Sequence, residues 1–415
     1  MLPVLQDTWR FPYILAVGPP LIGPVALFMK LFGLTVTAAR LPMVFFLILT
    51  AVCMYAYTLR ITDRSAARWG TLLLVSLSAF INTGKPVLGE IPGFFFLLLA
   101  LFLLVRSPSS WKASAIAGVC IGLSVITKLP YGIAFLALGM VWIVFAMTRQ
   151  WHNLRLLTIC IFVGLCTFLL FSPFLGVTDP GFFEELNQYA IADGGSQVLQ
   201  VLRTNPTLLL RLPFLAFGCI LLLGTVGLWH LRKRMPPHAW LLSGILIALF
   251  ILYFLNNGGW YRHLLPAHLL LLPFVPTGVR LLVGRKGAAG MLVLIATLQG
   301  LWQFDHRGST RNSESTFAAE VLEKNYADRS LVILHPELFV LLPENPHWLF
   351  LSEEFQWRTY TRFEHLPLKQ DKHCLPLVQK LNAEQQKEFV DRLEHVSGRY
   401  FIITPPASCT KIKRE

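Results

Sequence analysis

The sequence predicts an all-α, polytopic membrane protein of about ten transmembrane helices, followed by a small α/β domain on the non-cytoplasmic side. Composition is the first reason. Of 415 residues 54% are hydrophobic and only 14% charged, with a mean hydropathy of +0.57, whereas soluble domains carry about 25% charged residues. The second reason is a series of apolar runs near 41-60, 69-84, 88-105, 113-128, 130-147, 155-175, 207-230, 239-256, 264-283 and 287-303, the lengths that a bilayer crossing requires. The third is the distribution of charge. Up to Phe304 the chain holds 21 basic and 7 acidic residues, and after it 15 and 16. The net charge of +13 therefore belongs to the membrane half, as topology-setting loops produce, and nucleic-acid binding is a poor reading.

Taken in order, the chain opens with an outer-face juxtamembrane segment, residues 1-40. Within it Phe11 to Phe32 is apolar but carries Pro12, Pro19, Pro20 and Pro24 together with Gly18 and Gly23, which predicts a broken interfacial hairpin in place of a straight helix. The membrane domain spans 41-303. Alternating its connections puts thirteen basic residues on one side: Arg60, Arg64, Arg68, Arg106, Lys112, Arg149, Arg155, Arg232, Lys233, Arg234, Arg280, Arg285 and Lys286. The other side receives four, Lys85, Lys128, Arg203 and Arg262. Cytoplasmic loops hold the excess, so the four lie outside, and so does everything after residue 303. Residues 304-415 are polar and near neutral, with a helix predicted at Glu314 to Asn325, a strand at SLVILHP and a helix near Asn382 to Val396. Five cysteines, Cys53, Cys120, Cys160, Cys166 and Cys219, fall inside apolar runs without metal-ligand spacing and read as small core residues. Cys374 and Cys409 in the outer segment are candidates for a disulfide. No internal repeat of the kind many transporters show is present.

The chemistry-bearing residues gather in the outer connections. In KPVLGEIPG, Lys85 and Glu90 stand against fifteen apolar residues, Ile91 to Val105. At about 1.5 Å per residue these cover roughly 22 Å, short of a hydrocarbon core of about 30 Å, so the helix is expected to recruit Pro86 to Glu90. A carboxylate there either favours the helix start through the dipole or serves a site for an anionic substrate, with Lys85 beside it. In GGWYRHLLPAH, residues Trp260, Tyr261 and Arg262 form either an interfacial anchor or, with Arg262 and His263, a phosphate clamp at a cavity mouth. Lys128 in VITKLPYG complements a helix C-terminus in either reading. The acidic stretch DPGFFEELNQY reads as a solvated helix start. The histidines His152, His230, His238, His268 and His306 show no HExxH or comparable spacing, so no metal site follows from them. There is no P-loop, GxGxxG or GxSxG, and no cofactor is evident.

In combination these features resemble the GT-C glycosyltransferases, in the branch of the protein O-mannosyltransferases and the bacterial lipid A aminoarabinose transferases. The resemblance rests on four blocks in order: GPPLIGPVALFMKLFGLTVTAARLP, KPVLGEIPGFFFLLLALFLLVR, GLSVITKLPYG and WYRHLLPAHLLLLPF. It implies a multi-pass enzyme of the bacterial inner membrane. Such enzymes move a sugar, with inversion, from a polyprenyl-phosphate carrier to a lipid, glycan or protein acceptor on the outer face. Glu90 takes the place of the family's acidic residue in the second outer loop, and Lys85, Lys128, Arg262 and His263 become candidates for the carrier phosphate. The family also begins with a further span and a loop bearing an Asp-Glu pair; Met1 falls after that point, and Asp7 stands too near the PPL block to align with it. The resemblance thus implies a chain shortened at its N-terminus, or one that has lost that base. A lipid or anionic-solute transporter or flippase is the rival class, and an inactive membrane scaffold the third.

Overall fold

A computed structural model of the chain describes residues 17–33, 35–175, 212–256 and 261–305, together with short pieces between 202 and 403. The chain forms two compact units: one of Pro12–Gly33 and Thr37–Gly308, the other of Met1–Phe11, Leu34–Val36 and Ser309–Glu415. The first contains twelve α-helices among the described residues: α1 Pro19–Phe32, α2 Val36–Ile61, α3 Arg64–Ser76, α4 Ser78–Gly84, α5 Glu90–Arg106, α6 Trp111–Thr127, α7 Ile133–Met147, α8 Trp151–Phe171, α9 Leu212–His230, α10 Pro237–Leu255, α11 Tyr261–Leu271 and α12 Val275–Asp305.

Helix α2 shows how an apolar sequence sorts itself in lipid. Met43, Phe46, Cys53, Met54, Tyr57 and Ile61 recur at the three- and four-residue spacing of one face and are buried, while Val44, Phe45, Ile48 and Val52 are exposed. Both faces are apolar, because the outer one meets hydrocarbon in place of water. The buried hydroxyls of Thr50 and Thr58 donate to the carbonyls of Phe46 and Met54 at 2.6 and 2.7 Å, which satisfies them within the helix. Helix α5 is the central element, with Ile91, Phe94, Leu97, Leu98, Ala100 and Leu101 all buried. It packs on α6, and α6 on α8. In that second pair Gly118 and Gly122, four residues apart, face Gly164 so closely that a Cβ on Gly118 would lie 2.4 Å from the Cys160 carbonyl oxygen. Small residues substitute here for the hydrophobic drive that lipid does not supply.

Six helical stretches among the described residues are long and apolar enough to cross a membrane: Val36–Ile61, Leu129–Met147, Trp151–Phe171, Leu215–Lys233, Pro237–Leu255 and Val275–Leu301. The rest of the ten predicted crossings coincide with shorter or interrupted helices. The 69-84 run is split at Leu77, whose extended backbone (φ −74°, ψ 111°) separates α3 from α4. The 264-283 run is split between α11 and α12 by Leu272, Pro273 and Phe274. Gly284 divides α12, since its φ of +71° is a left-handed value that only glycine adopts without strain.

Three sequence expectations are corrected. Pro19–Phe32 is one helix in place of a broken hairpin: Pro19 and Pro20 sit in its first turn, where no intrahelical N–H is needed, and only Pro24 costs a helical hydrogen bond. Residues 11–16 lie outside the described residues. Helix α5 begins at Glu90 and does not recruit Pro86 to Gly89, which are not helical. Its 17 residues cover roughly 25 Å at 1.5 Å each. Cys53, Cys120 and Cys160 are buried, but Cys166 and Cys219 are exposed on the helix surface, because burial follows the helical face and not the apolar run.

Arg60, Arg106 and Arg280 lie together at one end of the helical unit. Arg60 donates to the Arg106 carbonyl at 3.4 Å, and Arg280 forms a two-pronged ion pair with Asp63, which also caps α3 by accepting from Ala66 N–H at 2.8 Å. The guanidinium of Arg280 holds the Asp63 carboxyl below the usual carboxylate range, against a smaller opposing effect of partial burial. Helix α5 runs from this end, at Arg106, to the opposite end, at Glu90. In the second unit β1 (Leu331–Ile333) lies between a parallel β2 (Trp348–Phe350) and an antiparallel β3 (Ile402–Ile403). The strand predicted at SLVILHP is β1. The helix predicted near 382–396, Cys374, Cys409 and the acidic stretch 179–189 lie outside the described residues.

Candidate active site

The N-terminus of α5 and the C-terminus of α6 meet at the end of the unit away from Arg60 and Arg106, and their junction is built from two cross-helix hydrogen bonds. Tyr131, in the 3-10 turn Leu129–Gly132 that follows α6, donates its hydroxyl to the Glu90 carbonyl at 2.5 Å. Ser124, in the last turn of α6, donates to the Gly93 carbonyl at 2.7 Å. Both donors are buried, where an unmade hydrogen bond costs about 1–3 kcal/mol, so the two helix ends are held in one register. Lys128 is the C-cap of α6 with an extended backbone (φ −155°, ψ 117°), which turns the chain out of the helix toward α5.

The consequence is a charge pair that spacing alone does not reveal. Lys128 Nζ lies 3.9 Å from Glu90 Oε1, and their side chains keep only 15% and 7% of their exposure. This is an ion pair at the limit of contact and not a hydrogen bond. The second carboxylate oxygen, Glu90 Oε2, is buried and accepts no hydrogen bond. Glu90 is also the first residue of α5, where the orphan N–H groups and the dipole favour a negative charge. A carboxylate that faces a lysine at a helix start, with one oxygen making no hydrogen bond, can take a proton or a hydrogen bond from a hydroxyl placed beside it.

The other sequence candidates are placed differently. Lys85, expected beside Glu90, is exposed and donates to Asn82 Oδ1 at 3.2 Å in the last turn of α4. Among the described residues its partner role to Glu90 is filled by Lys128, because Lys85 leaves α4 in a bend whereas Lys128 stands opposite the α5 start. Arg262 and His263 are half-buried in the first turn of α11, a helix that packs against α4, α5 and α10. The His263 ring meets Tyr253 of α10 edge-on with centroids 5.4 Å apart. Tyr261, next to Arg262, hydrogen bonds to His268 Nδ1 two turns later.

Tyr131 and Ser124 are the site residues that sequence reading missed. Tyr131 stands in the quoted VITKLPYG, yet its partner is 41 positions away, and no local signal marks it. Groups of three or more histidine, cysteine or acidic side chains able to hold a metal ion are absent among the described residues.

Comparison with known proteins bears on fold and family. Residues 25–184 match the family described as dolichyl-phosphate-mannose-protein mannosyltransferase. No curated protein matches the sequence. Among solved structures, ArnT from Cupriavidus metallidurans bound to undecaprenyl phosphate superposes with a TM-score of 0.58 at 16% identity, covering 83% of this chain and 78% of that one. The apo form of the same protein gives 0.52 at 18% identity, covering 76% of this chain and 60% of that one.

Proposed function

We propose that this chain, whose fold is like that of ArnT and whose residues 25–184 match a protein-mannosyltransferase family, is an integral-membrane glycosyltransferase of the GT-C class that moves a sugar from a polyprenyl-phosphate carrier to an acceptor at the outer face of a bacterial inner membrane. The observation that carries the reading is the Glu90–Lys128 pair, whose buried Oε2 makes no hydrogen bond, at the end of the helical unit opposite Arg60 and Arg106. The polyprenyl phosphate is taken from the ArnT complex, a likeness of fold at 16% identity.

In this reading Glu90 is the catalytic carboxylate. Its Oε2 accepts the proton of the acceptor hydroxyl as the oxygen attacks the anomeric carbon, on the face opposite the departing phosphate, and the configuration inverts. The carrier phosphate leaves with the bond's electron pair, so cations must meet it. Lys128 stands nearest to Glu90, Arg262 supplies a two-pronged grip, and Lys85 and His263 complete the set. Lys128 thereby couples the two halves of the reaction, pairing with Glu90 and facing the leaving group. This reading takes the end that holds Arg60, Arg106 and Arg280 as cytoplasmic and the Glu90 end as the outer face.

The test uses the full chain in proteoliposomes and undecaprenyl phosphate as the probe. Saturable binding, read by tryptophan quenching or native mass spectrometry, is expected, and Lys128→Met should weaken it about tenfold, equivalent to roughly 1.4 kcal/mol. Undecaprenyl phosphate that binds no better than undecaprenol, or equally well to Lys128→Met, overturns the carrier assignment.

A further inference from the structure

The start of α1 touches the site from outside the reacting pair. Gly18 is the N-cap of α1: its carbonyl accepts the first bonds of that helix, from Leu21 and Ile22 at 3.0 and 3.1 Å. Its own N–H donates across to the carbonyl of Thr127 at 3.1 Å. Thr127 is the last residue of α6, and the next residue is Lys128. The approach is so close that a Cβ on Gly18 would fall 1.8 Å from the Ile126 carbonyl oxygen, a backbone atom that cannot swing aside. The same Thr127 carbonyl is crowded from the other side by Gly89, whose Cβ would lie 2.7 Å from it, immediately before Glu90.

A second contact leads to the same place. Leu21, one turn into α1, is fully buried with Met43 and Phe46, and Val17 and Val87 pack against that cluster. Val87 lies in the bend segment that leads into Glu90. Helix α1 is therefore fastened to both walls of the candidate site, to the Lys128 wall through Gly18 and to the Glu90 wall through Leu21 and Val87. Of its other large side chains Ile22, Leu27, Leu31 and Phe32 are exposed, while Val25 also packs on the Leu21 cluster.

We propose that Gly18 is a positioning residue for Lys128: its N–H holds the Thr127 carbonyl and thereby sets how far the lysine reaches toward Glu90. The α6 helix ends at Thr127, so that carbonyl has no later helical N–H to accept and its orientation is set from outside. Losing the bond frees the φ and ψ of the junction, and the ammonium group, at the end of a four-carbon stem, moves by more than the backbone does. The functional consequence rests on the reading of Glu90 and Lys128 given above; the geometric one does not.

The test separates the two. In the full chain, a hydrophobic carbodiimide should couple the Glu90 carboxyl to the Lys128 amine, and peptide mass spectrometry reads the yield without any substrate. Gly18→Ala is expected to lower that yield at least about fivefold, as a displacement near 1 Å does to contact-dependent chemistry. Gly23→Ala, on the same helix but with open space at its Cβ, leaves it unchanged. Unaltered coupling in folded Gly18→Ala overturns the inference. If that variant does not fold, Leu21→Ala, which empties the α1 anchor without touching Thr127, should lower the yield in the same direction, and wild-type coupling there also overturns it. In transfer or carrier binding, Gly18→Ala should raise the carrier constant about tenfold in the native background, yet by less than about twofold on top of Lys128→Met, since its effect runs through that lysine. Equal losses in both backgrounds mean a general structural role and refute the inference. Reduced coupling with an unchanged carrier constant leaves the positioning intact and refutes the functional reading of the pair instead.

Discussion

Replacing Glu90 by glutamine changes one charge and almost no volume, and the structure says what should follow. At 3.9 Å from Lys128, Coulomb attraction at an effective dielectric near 20 amounts to about 4 kcal/mol. Most of it is offset by the cost of taking both groups out of water. The carboxylate already has one buried oxygen without a hydrogen bond, so an amide nitrogen in that place adds no new kind of defect, and Lys128, more exposed than Glu90, can turn outward. Folding stability should therefore change by no more than about 1 kcal/mol, the scale of a charge at a helix start. Chemistry should change far more. Loss of a positioned base costs about 10²-fold or more, which is roughly 2.7 kcal/mol of barrier. The assay is transfer from a polyprenyl-phosphate sugar in proteoliposomes, with expression and detergent melting temperature measured on the same preparations. A normally folded Glu90→Gln protein that transfers at close to the wild-type rate would refute the catalytic reading and leave Glu90 as a helix-start charge.

Three further outcomes are expected. Lys85→Met, at an exposed residue bonded to Asn82, should raise the carrier constant less than about threefold, against the roughly tenfold loss for Lys128→Met; a reversed order would return Lys85 to the centre of the site. Because Asp63 is shifted below its usual 3.8 by Arg280, it adds stability above that value and loses it as pH falls through the lower folded value. The melting temperature should thus decline more steeply below pH 3.8 in the wild type than in Asp63→Asn, which still caps α3; parallel acid limbs would count against a stabilising pair. A periplasm-dependent reporter fused after Arg307 should be active and a cytoplasm-dependent one silent, and the opposite pattern would invert the topology drawn from the basic residues.

Much of the architecture was legible in the chain because lipid imposes a simple code. Hydrocarbon demands that a span satisfy its own backbone hydrogen bonds, which an apolar run of about 20 residues does as a helix, so the runs located the elements, and most of the basic loop residues alternate to one side. Glu90 could be singled out for a related reason: an ionisable group beside a long apolar run requires a partner or a purpose. Which partner was beyond the reach of sequence. Lys85, five positions away, looked closer than Lys128 at thirty-eight, but a chain in bends can point anywhere, whereas two antiparallel helices locked by Tyr131 and Ser124 bring their ends together regardless of separation. The same holds for Gly18. Its lack of a side chain looked like a helix breaker in a proline-rich segment, and only the approach of α1 to the end of α6 shows that the missing Cβ makes room for a neighbouring carbonyl. Periodicity records what each residue owes to its solvent; contacts between distant segments depend on how whole helices pack, and that information is spread over every face they bury.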